Sequence, residues 1–391
     1  MNFFIARQPV FQKNDSIFAY KIIYSPLTEE ITDKEMEESI LLDNIMSVGN
    51  QTLSSGKKII LNFSNSLLQK EYLYRKDTFV LVTKDNNEDT LAVCKELKKA
   101  GYFTALDLQC LENQENVIHY SDLIVVDFKN KNAEYYCGEL IKLFNPKIFA
   151  DNISSRPAFD KAVMSGCTYF RGEYFKLPFS ENKKPLSGNK YVYLELLKEA
   201  NNPELDFEHI ESLIKKDVTI TYTLLKYINS AAFYFVNEIT SVKQALALLG
   251  QKGTVKWLSW VVLRVMSQKK PGEIINLSLI RAVFCEEIAE IIGYVNSFNF
   301  FIMGMFSILD IMLDCTMEEA LQEIPVSNEI KDALLGIDNE YKQILNLVLS
   351  YEQGNFKKVL EISKSYNIDP REITWSYIKA LNMVRENLLT A

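Results

Sequence analysis

Three aspartates close short apolar runs in the first half of the chain: Asp107 in "ALDLQC", Asp127 in "IVVDF" and Asp151 in "KIFAD". Carboxylates gathered at strand ends are what a hard divalent cation takes as ligands, and a bound cation activates water for hydrolysis. An aspartate in that position also suits the turn that follows a strand, because its side chain accepts from backbone N–H groups further on. Spacing alone leaves both roles open.

The runs carrying these acids read as strands buried on both faces: "KKIILNF" (57–63), "DTFVLVT" (77–83), "YFTALDL" (102–108), "DLIVVDF" (122–128) and "PKIFAD" (146–151). Amphipathic stretches such as "EDTLAVCKELKKAG", which stops on Gly101, lie between several of them. Strand–helix–strand alternation predicts parallel βα units, hence a barrel or an open sheet, with chemistry built where strands end. "LPFSENKKPLSGNKY" (177–191) breaks the pattern with two prolines and a glycine. After it the periodicity is helical: Ile210, Leu213 and Ile214 share a face, and Ser241 with Gln244 and Thr316 with Glu319 have capping-box spacing. The expected division is a barrel domain over 1–180, a linker over 181–190 and an all-α domain over 191–391.

The bulk numbers remove several classes. With 391 residues the chain is long enough for two domains, and 48% hydrophobic against 24% charged residues is an ordinary globular balance. The net charge of −8 speaks against nucleic acid as a partner. The six cysteines form no CxxC and predict neither a zinc site nor a disulfide framework. Arg7 and Pro9 interrupt what would be the apolar core of a signal peptide. Residues 291–309 carry no charge, yet Gly293, Asn296, Ser297 and Asn299 predict a turn and a buried helix there, not a membrane span. Together these features predict a cytoplasmic protein with no membrane attachment.

"FIARQPVFQKNDSIFAYKIIYSP" resembles the opening of the EAL family, the cyclic di-GMP phosphodiesterases, in the divergent form fused to a helical HDOD domain. "LIKKDVTITYTLLKYINSAAF", "ITSVKQALALLGQKGTVKWLSWVVL", "RAVFCEEIA" and "FFIMGMFSILDIML" look like successive HDOD signatures, so the resemblance covers nearly the whole chain. It implies a (β/α) barrel of TIM type, metal-dependent phosphodiester hydrolysis and a set of metal-binding carboxylates. On that pattern the signature Glu falls at Lys21 and the phosphate-holding Arg at Ser25, while Gln8 and Asn62 are kept. The next Glu falls near Val82, the paired aspartates at Asp107 and Leu108, and the catalytic Lys at Val125, with Asp127 retained. Asp151 and Ser154 stand for a later acid pair, and Arg171-Gly172 for the final QG.

An ammonium at Lys21 where a metal ligand belongs changes the local charge by two units and opposes a dication. The expected consequence is a vestigial pocket of Gln8, Lys21, Asn62, Asp107, Asp127, Asp151 and Arg171, with no metal, no cofactor, no catalytic residue and no cyclic di-GMP hydrolysis. Arg7, Lys21 and Arg171 offer replacement charge for a phosphate ligand, but the favoured expectation is that they are ordinary rim residues. About 180 residues is also short for a fold that typically takes about 250, which predicts trimmed helices or missing strands.

Resemblance to HDOD domains implies a relative of HD metallohydrolases without the metal histidines. Composition agrees, since the chain has only His119 and His209 and neither precedes an Asp. There is no G-x-S-x-G, P-loop or G-x-G-x-x-G. Trp257, Trp260 and Phe233 are the apolar side chains that would anchor a partner, although core packing is the ordinary role for such residues. The resulting expectation is an inactive signalling protein that serves as an interaction scaffold for other signalling proteins, with oligomeric state undetermined. The alternatives are a sensor binding cyclic di-GMP or another nucleotide at the barrel mouth, a phosphodiesterase with unusual ligands, and a nucleic-acid-binding helical half.

Overall fold

Phe3–Gln12 (β1) and Ile17–Pro26 (β2) pair antiparallel in the computed structural model, with Gln8 opposite Lys21. The structure describes residues 3–27, 34–64, 66–69, 75–83, 89–111, 115–177, 195–196, 198–199, 205–230, 233, 238–266, 270–322, 324 and 326–390. The expected linker 181–190 lies outside them.

Lys58–Asn62 (β3), Thr78–Val82 (β4), Phe103–Asp107 (β5), Leu123–Asp127 (β6), Ile148–Ile153 (β7) and Tyr169–Gly172 (β8) follow, each parallel to the one before, and the eight strands close into a barrel. No strand is missing, so the shortness of this half lies in its connections. Lys34–Val48 (α1) and Asn50–Ser54 (α2) precede β3, and Ser66–Gln69 (α3) is a single turn. Only 3-10 turns, Leu108–Leu111 and Glu115–Tyr120, are described between β5 and β6. Full helices survive at Thr90–Ala100 (α4), Ala133–Leu143 (α5) and Arg156–Met164 (α6). The first of these ends as its sequence predicts, on Gly101 in the left-handed region at φ 91°.

The barrel interior is filled by Val10, Ala19, Ile60, Phe79, Leu81, Ala105, Leu123, Val125 and Phe149. Because side chains alternate along a strand, the residue two positions toward the mouth from each of these also faces inward. That periodicity positions everything described below.

Closure between first and last strand is slight: β1 meets β8 only at Phe11 and Gln12. Nearer its start, the free edge of β1 is satisfied by side chains from the C-terminal region. Tyr351 Oη accepts from Ile5 N at 3.3 Å and donates to Ile5 O at 3.0 Å. Tyr377 Oη accepts from Arg7 N at 3.3 Å, and Thr374 Oγ1 donates to Phe3 O at 3.3 Å. Phe4 stacks on Phe356 at 5.0 Å. Hydroxyls therefore replace part of a strand ladder, which keeps buried backbone groups paired.

The helices after the seam are Phe207–Lys215 (α7), Val218–Ile228 (α8), Val242–Met266 (α9), Gly272–Ile292 (α10), Phe298–Phe306 (α11), Leu309–Leu313 (α12), Met317–Gln322 (α13) and Asn328–Leu334 (α14). Glu340–Gln353 (α15), Phe356–Ser365 (α16) and Pro370–Thr390 (α17) complete the chain. At the predicted capping boxes, Gln244 N donates to Ser241 Oγ at 3.1 Å, and Thr316 and Glu319 bond reciprocally at 3.2 Å. Gly250, at φ 63°, breaks α9 where a helix end was expected. The uncharged stretch 291–309 resolves into the end of α10, a turn at Gly293 and the buried α11. Among the described residues no helix is long and apolar enough to cross a membrane.

Two compact units result: Met1–Leu177 with Leu349–Ile378, and Pro178–Val348 with Lys379–Ala391. The segment Leu349–Ile378, read from sequence as part of the helical domain, thus groups with the barrel.

Candidate functional site: the barrel mouth

One step above the filled interior, each strand presents one inward position. These are Gln8 on β1, Lys21 on β2, Asn62 on β3, Asp107 on β5, Asp127 on β6, Asp151 on β7 and Arg171 on β8, each two residues from an apolar side chain of the interior or packed on it. All seven residues expected in the pocket therefore fall on one ring. On β4 the inward position is Thr83, two beyond Leu81, so Val82, buried with 1% exposure, belongs to the outer face. Val82, near which the resemblance puts a family Glu, is therefore not the inward residue of its strand, since a one-residue shift reverses a strand's faces.

Charge around the ring is uneven. Arg171, Gln8 and Lys21 lie on adjoining strands, and the three aspartates occupy three successive strands across from them. Asp151, 7% exposed, sits between the two arcs, with Lys21 Nζ 3.4 Å from its Oδ2 and Arg171 Nε on its Oδ1. Arg171 also donates through Nη1 to Gln8 Oε1 and through Nη2 to Asn152 Oδ1 at 3.2 Å. Burial on its own would raise the Asp151 carboxyl; the nearby Arg171 and Lys21 outweigh it and hold the group below the ordinary carboxylate range. Burial likewise lowers the Lys21 ammonium, and Asp151 only partly restores it.

Local backbone geometry lets Arg171 reach this place. The β7–β8 register shifts between Ala150 and Ile153, with Asn152 left-handed at φ 58°. Gly172 passes so close that a Cβ there would stand 2.0 Å from Ile153 O. Only glycine allows that approach.

The other two aspartates take the second of the roles that spacing left open. Asp107 Oδ1 accepts from Gln109 N at 2.9 Å, and Asp127 Oδ1 from Lys129 N at 2.8 Å, so each shapes the turn after its strand. Burial raises the Asp107 carboxyl above its ordinary value. A divalent cation would need several oxygens free to converge. Here Asp151 is committed to two cations, and among the described residues no three of His, Cys, Asp and Glu form a metal cluster. These residues do not fit a divalent metal ion.

Over the cationic arc opens a cavity of about 690 Å³, lined from the barrel chiefly by Gln8, Lys21, Ser25, Asn62, Asn152 and Arg171. Gln353, Gly354, Asn355, Phe356 and Lys357 line it from the C-terminal segment, a contribution no local sequence pattern announces. Among the described residues the lining holds three cations and no carboxylate. Such a surface suits an anion within the 300–1,000 Å³ range of small-molecule pockets.

Other residues weighed for a binding role lie elsewhere. Arg7 is 6% exposed and serves the barrel wall: Nη1 donates to Leu53 O at 2.9 Å and Ser55 Oγ at 2.8 Å, and the guanidinium lies over the Tyr20 ring. Trp257 and Trp260 are buried at 2% and 6% exposure, so they take the ordinary core role and not that of candidate surface anchors. Phe233 is half-buried and meets the Tyr227 ring edge-on at 5.1 Å.

Residues 188–344 match the HDOD domain model. The uncharacterized protein YuxH of Bacillus subtilis is 30% identical over 100% of both chains. The cyclic di-GMP phosphodiesterase CdgJ of Vibrio cholerae is 25% identical over 96% of this chain and 91% of its own. Among solved structures, a standalone EAL protein of Vibrio cholerae O395 bound to c-di-GMP covers 44% of this chain and 90% of its own, at 17% identity and TM-score 0.36. The likeness to CdgJ overturns the expectation that the chain is no enzyme: a relative alike over nearly its whole length is a phosphodiesterase.

Proposed function

The chain belongs to the EAL–HDOD family, and from that premise we propose that it works in cyclic di-GMP signalling by taking the dinucleotide into the cavity at the barrel mouth. The observation that carries this reading is the lining itself: Lys21, Arg171 and Lys357 with no carboxylate among the described residues. A cyclic dinucleotide presents two phosphodiester anions, and guanidinium and ammonium groups are the side chains that pair with them. Asp151 lies behind the lining and holds the two barrel cations in place.

With the described residues, Arg171 uses three of its five donors and Lys21 one of its three. The remainder are what a phosphate would engage. The scaffold reading takes Trp257, Trp260 and Phe233 as anchors; the first two are buried and the third half-buried, which leaves the ligand reading better supported. Six free cysteines suit a reducing compartment, and we place this function in the cytoplasm.

Isothermal titration of the full chain with cyclic di-GMP should give saturable heat, and Arg171→Ala should weaken binding at least tenfold. No heat at tens of micromolar ligand would reject the reading. Hydrolysis is the activity carried by the name of CdgJ, and the same preparation reads it as conversion of cyclic to linear dinucleotide with Mg²⁺ or Mn²⁺ supplied.

A further inference from the structure

One wall of the cavity comes from a part of the chain that follows the HDOD match, which ends at residue 344. The turn Gln353–Lys357 is fastened on every side. Tyr351, just before it, is bonded to both backbone groups of Ile5. Gln353 O accepts from Gln8 Nε2 at 3.4 Å, and Gln8 in turn accepts from Arg171. Gly354, left-handed at φ 78°, lies against β2, where a Cβ would meet Ile23 Cδ1 at 2.6 Å. Asn355 Oδ1 caps α16 by accepting from Lys358 N at 3.3 Å. Phe356 is buried on the Phe4 ring. A turn held at Gln353, Gly354, Asn355 and Phe356, and at Tyr351 just before it, is preorganised, so a ligand group it meets pays little to order it.

From this geometry we infer that the Gln353–Lys357 turn is a ligand-contacting wall of the site and that Lys357 is an affinity-determining residue for a ligand with two phosphate groups. Lys21 and Arg171 hold one anionic group from inside the barrel. Lys357 supplies the charge for the other from a segment more than 180 positions away from either in sequence. The inference rests on the proposed cyclic di-GMP reading and adds a second wall to it.

Lys357 and Lys358 are neighbouring exposed lysines in the first turn of α16, and only Lys357 lines the cavity. Titration of full-length Lys357→Glu and Lys358→Glu with cyclic di-GMP therefore separates a contact from a general loss of positive charge. Near-UV circular dichroism confirms that both variants are folded. Lys357→Glu should bind at least tenfold more weakly than wild type, and Lys358→Glu should stay within about threefold. Equal binding by wild type and Lys357→Glu, or equal weakening in the two variants, would overturn the role of Lys357 while leaving the barrel reading intact. Failure of the wild type itself to bind would instead remove the functional reading and this inference with it.

Discussion

Asp151 is where the electrostatics of the mouth are decided. One carboxylate, 7% exposed, pairs with both Lys21 and Arg171, offsetting one of their two charges, and also accepts from Asn152 N at 2.9 Å. Removing one member of a buried ion pair costs about 3–5 kcal/mol, because the other charge is left uncompensated. Asp151→Asn should accordingly lower the thermal midpoint by on the order of 10 °C, measured by differential scanning calorimetry. The pH dependence has a definite sign. The carboxyl is held below its ordinary value in the folded chain, so its stabilisation is complete above about pH 4 and fades as pH falls through the folded value. Wild type should lose this part of its stability in acid, and Asp151→Asn should show a correspondingly flatter acid limb. Asp107 works in the opposite sense: burial raises its carboxyl, so ionising it as pH rises costs the folded state.

At the scale of elements, β1 departs from the parallel pattern of its barrel. It runs antiparallel to both neighbours and pairs with β8 at only two positions. An open edge of that length is a liability unless something covers it. Here three hydroxyls do so, and Tyr351 carries the largest share by bridging Ile5 N and Ile5 O. Tyr351→Phe keeps the ring against Phe4 and Phe356 but strands a buried N–H and C=O, at a cost of about 1–3 kcal/mol. Urea titration should show the midpoint shifting down with an unchanged slope. An unaltered midpoint would mean that the edge is satisfied without this hydroxyl.

For the whole molecule, chain order and spatial order disagree. Residues 349–378 follow the helical half in sequence and belong with the barrel in space. A fragment spanning 1–177 would expose the edge of β1 together with Phe4 and lose one wall of the cavity. It should lack a cooperative thermal transition and bind a hydrophobic dye. Joining 349–378 to it through a long Gly/Ser linker should restore the transition. A well-folded, dye-negative 1–177 fragment would show that the C-terminal segment is an accessory and not part of the barrel.

Sequence by itself determined what is local. The apolar runs ending in Asp107, Asp127 and Asp151 are strands, Gly101 ends a helix, and Ser241 and Thr316 cap the helices that follow them, because each depends on residues within one turn or one strand. Family resemblance added the inward ring, down to Lys21 and Arg171. Only the tertiary structure decided which aspartate is ion-paired and which merely shape turns, since Lys21 and Asp151 are 130 positions apart. It also decided that Val82 faces outward, that the tryptophans are core, and that Tyr351 seals a strand 346 positions earlier. Those outcomes depend on strand register and on chain closure, and neither leaves a periodicity that neighbouring residues can carry.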